Sequence, residues 1–269
     1  VMSALASRWP ENKINPSLDR IKLLLDYLGN PQDGLKAIHI AGTNGKTSTS
    51  RMVERLLRSL DFRTGLFTSP HLNHPRERIS IDGSPIALNN FEEIYRQVEP
   101  FLGLVDEQIS DSPLTFFEVL TAMSFVSFAD TPVDAVSLEV GMGGSWDATN
   151  VLTTMVSVIT PIDLDHQEYL GNTTEKIAHE KAGIIKPNIP VVIGERHPET
   201  DPVFIKKAKE QNAHLIFAED TLKATNISKQ STTLKLDIAQ QDQTLLKALH
   251  LDLTGTYQLK NIVTVIEAV

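Results

Sequence analysis

The chain has 269 residues, 41% of them hydrophobic and 22% charged, the balance of a folded globule with room for a large core. A net charge of −9 argues against nucleic acid and anionic membranes as bulk partners. The lack of cysteine rules out disulfides and thiol catalysis, and there is no apolar run long enough to span a bilayer, so a cytoplasmic protein is expected.

Asn15 and Pro16 read as a helix start, with Leu18, Ile21, Leu24, Leu25 and Leu28 on one face and Gly29 as the stop. Leu35 to Ala41 reads as an apolar strand. It feeds Gly42-Thr43-Asn44-Gly45-Lys46-Thr47-Ser48, a glycine turn opening a helix in which Met52, Val53, Leu56 and Leu57 recur at helical spacing. Backbone N–H groups of such a turn, and the partial positive charge of a helix start, suit a polyphosphate. Lys46 can reach the terminal phosphates, and the hydroxyl of Thr47 or Ser48 can touch a magnesium ion. The strict phosphate-loop pattern wants a glycine where Ile40 stands, so this loop is a shorter variant. The bland alternative is a strand–turn–helix without a ligand. The coincidence of two glycines, a lysine and a threonine at the junction favours phosphate.

Phe62 to Phe67 reads as a second strand and Thr68 to Leu72 as a loop, followed by Arg76 and Arg78, local bases for an anionic substrate. Ile79 to Ile86 suits a hairpin around Asp82-Gly83, and Asn89 or Asn90 is placed to cap a helix running to about Leu104. Thr115 to Ala129 reads as a helix buried on most sides. Ala135 to Val140 is a buried strand with Glu139 at its end, directly before the Gly141-Met142-Gly143-Gly144 run. An acid at a strand end can simply cap a loop. In a phosphate-binding sheet it becomes a candidate magnesium ligand, since that ion takes oxygen donors, and Ser69 can add a hydroxyl.

Met155 to Thr160 reads as a strand broken at Pro161, followed by Asp165 and His166. Thr173 to Ile184 is a helix carrying Lys181 near its end. Pro190 to Gly194 and Leu215 to Ala218 are short strands separated by the helical stretch Pro202 to Gln211. Residues 221 to 254 alternate polar and apolar, as in an antiparallel edge or flap, and Gln258 to Val269 begins a helix. The whole predicts an α/β fold: a doubly wound, mostly parallel sheet flanked by helices, with a small antiparallel edge near the C-terminus and active loops at the carboxyl ends of the strands.

Several spaced motifs in one order resemble the folylpolyglutamate synthase/dihydrofolate synthase branch of the Mur ligase superfamily of ATP-dependent amide ligases. They are Gly42 to Lys46, Thr68-Ser69-Pro70-His71-Leu72, Leu114 to Glu118, Glu139 to Gly144, Asp147 to Asn150, Asp165-His166 with Leu170-Gly171, and Glu180 to Pro187. The resemblance implies that Thr43, Asn44, Gly45 and Lys46 hold the ATP phosphates. It places Thr47 or Ser48, Ser69 and Glu139 around a first magnesium ion, and His166 and Lys181 at a second, with Lys181 as a carbamate. It further implies that Thr115, Phe116, Phe117 and Glu118, with Trp146, Asp147 and Ala148, line the pteridine pocket, that Asn15 to Arg20 lie near it, and that Gln258 and Asn261 meet the adenine. A monovalent cation is also implied.

The chain departs from the family pattern at Thr47, where glycine is usual, at Ser145, where arginine is common, and at Tyr257, in place of a linker histidine. By resemblance, residues 1–255 form the ATP- and folate-binding domain, and 256–269 begin the linker to a glutamate-binding, Rossmann-like domain that this chain lacks. The expected enzyme adds L-glutamate to folate or dihydropteroate through an acyl phosphate, as a monomer, and the isolated fragment is expected to be inactive. The alternatives are a ligase acting on UDP-muramyl peptides and a nucleotide-binding module without ligase chemistry.

Overall fold

The computed structural model describes residues 1–10, 15–109, 112–241 and 243–269. In chain order the elements are α1 (Met2–Ala6), α2 (Asp19–Tyr27), β1 (Ala37–Ala41), α3 (Lys46–Ser59), β2 (Thr64–Phe67), β3 (Ile79–Ile81), β4 (Ser84–Pro85), α4 (Leu88–Gln108), α5 (Phe116–Asp130) and β5 (Ala135–Glu139). There follow β6 (Val156–Ile159), α6 (Gln167–Leu170), α7 (Thr174–Lys181), β7 (Val191–Ile193), α8 (Asp201–Glu210), β8 (Leu215–Phe217), α9 (Ala218–Thr221), β9 (Leu222–Lys229), β10 (Leu234–Gln240), β11 (Gln243–Leu251) and α10 (Gln258–Ala268). The fold is α/β, with a mostly parallel eight-stranded sheet, flanking helices and a separate three-stranded sheet. The chain divides into two compact units, residues 1–38 with 54–154, and residues 39–53 with 155–269.

In the first unit β2 pairs parallel with β5, from Thr64 opposite Ala135 to Phe67 opposite Leu138. It pairs antiparallel with β3, which pairs in turn with β4 around the Asp82-Gly83 turn. The core lies among α2, α4 and α5, where Leu24, Leu25, Phe91, Val98, Leu120, Met123 and Phe125 are buried. Burying a side chain of this size stabilises by about 1.5–3 kcal/mol. α5 is buried along nearly its whole length, from Glu118 to Phe128. Its start is fixed by a capping box, in which Thr115 Oγ1 accepts from Glu118 N at 3.1 Å and Glu118 Oε2 accepts from Thr115 N at 2.8 Å. The amide of Phe116 donates to the carbonyl of Trp9 at 2.9 Å, so the N-terminal segment is stitched to the same helix start.

Two helix starts differ from the sequence expectation. α2 begins at Asp19 rather than at Pro16, because Asn15 spends its side-chain amide on Ser112 Oγ at 2.8 Å and Ser17 Oγ accepts from Asp19 N at 3.0 Å. α4 begins at Leu88 after Ala87, which puts Asn89 and Asn90 inside its first turn instead of at its cap. It also continues to Gln108, past the expected end at Leu104, with Pro100 inside it.

In the second unit β6, β7 and β8 are all parallel, with Ser157 opposite Val191 and Val191 opposite Leu215. Beyond the end of β1, Thr160 N donates to Ala41 O at 2.8 Å, which carries the β6 side of the sheet alongside the phosphate turn. The alternating stretch after residue 221 forms the small antiparallel sheet expected of it, β11-β10-β9, separate from the main one. Leu234, Leu236 and Ile238 form its buried row, while β11 is largely exposed. A sheet with one wet strand reads in sequence only as weak alternation.

Candidate functional site

The phosphate turn is built within the second unit. Gly42 has φ +144°, and a Cβ there would come within 1.8 Å of Thr160 Oγ1, so both backbone and space demand glycine. Gly45 has φ +85°, and its Cβ would come within 2.6 Å of Asn261 Oδ1. Between them, the amides of Thr43 and Asn44 both donate to Pro161 O, at 3.0 and 3.2 Å, and Thr43 Oγ1 donates to Asp163 O at 3.0 Å. The turn is thereby tied to the segment after β6. A phosphate would meet it from the side of Gly45 and the start of α3, since helix starts hold N–H groups with no acceptor in the helix.

Two lysines close over the turn. Lys46 Nζ donates to Gly42 O at 2.9 Å and to Thr43 O at 3.3 Å, and Lys181 Nζ, from the end of α7, donates to Gly42 O at 2.7 Å. Lys181 is 2% exposed, which is rare for a lysine. Ser48 Oγ accepts from Gln258 Nε2 at 3.3 Å, and Gln258 Oε1 accepts from Asn261 Nδ2 at 2.8 Å. His166 sits in a left-handed conformation at φ +45° before α6, half exposed, with Nε2 3.5 Å from Asp165 Oδ2. His39, on β1, is fully buried, and burial with the nearby positive charge of Lys186 lowers its pKa to about 3.

The remaining candidates lie in the first unit. Glu139, at the end of β5 and 1% exposed, accepts through Oε2 from Ser69 N at 3.2 Å, so these two potential ligands are held together. Among the described residues there is no cluster of three or more His, Asp or Glu fit to hold a metal. The donors at Ser69 and Glu139 are hard oxygens that suit magnesium, which usually completes its shell with substrate phosphates and water.

The Gly141–Asn150 loop is folded on one carboxylate. Asp147 Oδ2 accepts from Met142 N at 2.8 Å, and Oδ1 accepts from Thr149 N at 3.0 Å and from the Thr149 hydroxyl. Burial raises the Asp147 pKa, against these hydrogen bonds. Trp146 is half-buried and Ala148 buried in the same loop, and the ring of Phe117 lies where a side chain at Gly141 would stand. Thr115 and Glu118 are the two halves of the α5 cap, and Glu118 also pairs with buried Arg20 at 3.0 Å. Phe116 faces a cavity of about 430 Å3 shared with Leu5, Ala6, Arg8, Pro10, His71 and Arg78. Arg78 Nε donates to His71 Nδ1 at 3.0 Å, and its guanidinium lies 5.4 Å from the Phe116 ring centre. Arg76 instead donates to Ile86 O at 2.9 Å. The sequence marked Thr160 only as a strand end, Pro161 only as a strand break and Arg20 only as part of a segment near the pteridine pocket. Their roles come from partners more than 90 residues away, which no local pattern carries.

A family model, the Mur ligase middle domain, matches residues 40–269. The dihydrofolate synthase/folylpolyglutamate synthase of Mycobacterium tuberculosis is 50% identical over 221 residues, covering 78% of this chain and 45% of that protein. The solved structure of Mycobacterium tuberculosis folylpolyglutamate synthase complexed with ADP superposes with a TM-score of 0.92 at 43% identity, covering 99% of this chain and 60% of that one. An FPGS–AMPPCP–folate complex superposes with a TM-score of 0.92 at 34% identity, covering 99% of this chain and 64% of that one. The chain spans about half the length of the curated relatives it matches, 45% and 51% for two of them.

Proposed function

The chain belongs to the Mur ligase family, and from that premise we propose that it is the nucleotide-binding part of an ATP-dependent ligase joining L-glutamate to folate, to dihydropteroate, or to both. The observation that carries this reading is the convergence of Lys46 and Lys181 on Gly42 O at a glycine turn. The Lys46 amine, held over the turn at the start of α3, suits an incoming polyphosphate, and Lys181 ties the end of α7 to the same turn.

An unactivated carboxylate is a poor acyl donor. In the proposed reaction a carboxylate oxygen of the pteroyl substrate attacks the γ-phosphorus of ATP, the bond to the β-phosphate oxygen breaks, and ADP leaves. The amine of L-glutamate then attacks the acyl carbon, losing a proton as phosphate leaves, and an amide results. Lys46 and the helix start would neutralise charge on the moving phosphoryl group, so positioning and electrostatics carry this step. Thr43, Asn44, Gly45, Thr47 and Ser48 would frame the phosphates, with Asn261 near the nucleotide.

Magnesium would supply charge neutralisation: Ser69 and Glu139 in the first unit would serve one ion, His166 and Lys181 in the second unit another, and Thr47 offers a hydroxyl at the phosphate turn. A carbamate on Lys181 forms when its free amine adds to carbon dioxide and releases a proton. The product keeps one N–H on Nζ, so it is compatible with the bond to Gly42 O and adds anionic oxygens for a hard cation. Thr115 to Glu118 and Trp146 to Ala148 would shape the pteridine side. Asp147 and Glu118 would act there by holding backbone, since both carboxylates are occupied by it. A monomer in the cytosol, and a monovalent cation requirement, complete the proposal.

The test is a substrate screen of the full-length gene product with ATP and magnesium. Glutamate-dependent ADP release with pteroate or folate supports the reading. Release only with UDP-muramyl peptides would move the chain to the cell-wall branch of the family, and nucleotide binding without turnover would reduce it to a binding module.

A further inference from the structure

The nucleotide reading sets Gln258 and Asn261 of α10 near the nucleotide but does not account for the bonds their buried side chains make to the phosphate turn. Gln258 and Asn261 are each 3% exposed, at the start of a helix whose next residues, Ile262, Val263 and Val265, are ordinary core. A buried amide costs stability unless its hydrogen bonds are made, so apolar residues would serve packing better. Both amides point at the phosphate turn. Asn261 Nδ2 donates to Gln258 Oε1 at 2.8 Å, and Gln258 Nε2 donates to Ser48 Oγ at 3.3 Å. Each link fixes the next, because reversing the Gln258 amide would set its NH2 against that of Asn261. At the other end, the Asn261 amide fills the space beside Gly45 that any larger residue there would need, with Oδ1 2.6 Å and Nδ2 3.0 Å from the position of a Cβ.

We propose that Gln258 and Asn261 form an amide relay that positions the phosphate turn, gripping it at Ser48 on α3 and at Gly45 in the turn. The affinity of the turn for a nucleoside triphosphate is then set in part from α10, and Ser48 is an anchor of the relay rather than a metal ligand. This rests on the nucleotide reading above. Gln258 is a positioning residue: it acts on the phosphates through Ser48.

The experiment is calorimetric titration of ATP into the full-length protein, wild type against Ser48→Ala, Gln258→Leu and the double variant, with thermal midpoints recorded alongside. Each single variant is expected to weaken ATP binding about fivefold to tenfold, the worth of one hydrogen bond. The double variant is expected to be no weaker than the worse single one, because both cut the same chain. In turnover, the loss should fall mainly on KM for ATP, which should rise by a similar factor, rather than on kcat. The magnesium concentration giving half-maximal ATP binding should be unchanged in Ser48→Ala.

Equal ATP affinity in all variants, losses that multiply in the double variant, or a shifted magnesium midpoint would each overturn the relay. If Gln258→Leu fails to fold, the smaller Ser48→Ala change and Gln258→Met decide the matter by the same readouts. Wild-type protein that binds no ATP would instead overturn the nucleotide reading itself.

Discussion

Lys46 and Lys181, 135 positions apart in the chain, place their side-chain nitrogens on one oxygen, the carbonyl of Gly42, at 2.9 and 2.7 Å. A single carbonyl carries only partial charge, so it holds Lys46 less strongly than a phosphate would. Lys46 also touches Thr43 O, which folds it back across its own turn. An arriving polyphosphate competes with these carbonyls for the Lys46 ammonium. Lys46→Met in the full-length enzyme is therefore expected to lower kcat/KM for ATP by on the order of 10³-fold, the scale of losing one charge-stabilising donor. Glutamate-dependent ADP release measures it, and near-normal turnover would remove Lys46 from the reaction.

Lys181 separates binding from chemistry. Lys181→Ala should leave ATP binding within about tenfold while reducing ligation by on the order of 10²-fold or more. Intact-mass measurement before and after acid treatment checks the carbamate directly. A wild-type protein that never carries the added carbon dioxide would limit Lys181 to its hydrogen bond with Gly42.

Glu118 belongs to the fold before it belongs to any substrate. Its carboxylate caps α5 and pairs with Arg20, 4% exposed, which also donates to Ser112 Oγ at 2.8 Å. Glu118→Ala strands a buried guanidinium, at a cost of about 3–5 kcal/mol. Urea denaturation reads this, and unchanged stability would show that the pair contributes nothing.

His39 makes stability depend on pH. Its folded pKa, about 3, lies below the unfolded value of 6.5, because burial and then Lys186 disfavour the charged ring. The unfolded chain therefore binds a proton that the native one refuses, and this contribution is present above about pH 6.5 and is lost as pH falls toward 3. Between pH 7 and pH 5 the loss amounts to about 2 kcal/mol. Denaturant titrations of wild type and His39→Leu at the two pH values test it: the difference should shrink by that amount in the variant.

Gly42→Ala should be among the most damaging small substitutions. The new methyl group would overlap Thr160 Oγ1 in a backbone region that side chains rarely adopt. A loss of roughly 2–4 kcal/mol is expected, with ATP binding reduced alongside, and thermal denaturation with nucleotide titration measures both. Wild-type behaviour would mean the turn has room that its geometry denies.

Local patterns carried most of the fold. β1, β5 and β6 are short apolar runs bounded by Gly or Pro, and α5 declares itself through Thr115 and Glu118 at capping-box spacing. The phosphate turn was legible for the same reason, since the demand for glycine at 42 and 45 is a backbone property. What escaped was long-range. Asn15 looked like a cap because nothing nearby reveals Ser112, its true partner. The three-stranded sheet was legible as an antiparallel edge or flap, and the choice between the two was left to strand pairing across turns. Gln258 was visible as a motif residue, yet its hold on Ser48 joins positions 210 apart.

The bond from the Phe116 amide to the carbonyl of Trp9 has a practical consequence for anyone preparing shortened versions of this protein. Residues 1–9 look like a trimmable tail, but deleting them strips the acceptor from a backbone N–H at the mouth of α5 and removes Leu5, a fully buried member of the core. A shortened protein begun at residue 10 would expose the aromatic end of that helix to solvent and to proteases, so residues 1–9 belong in any shortened version.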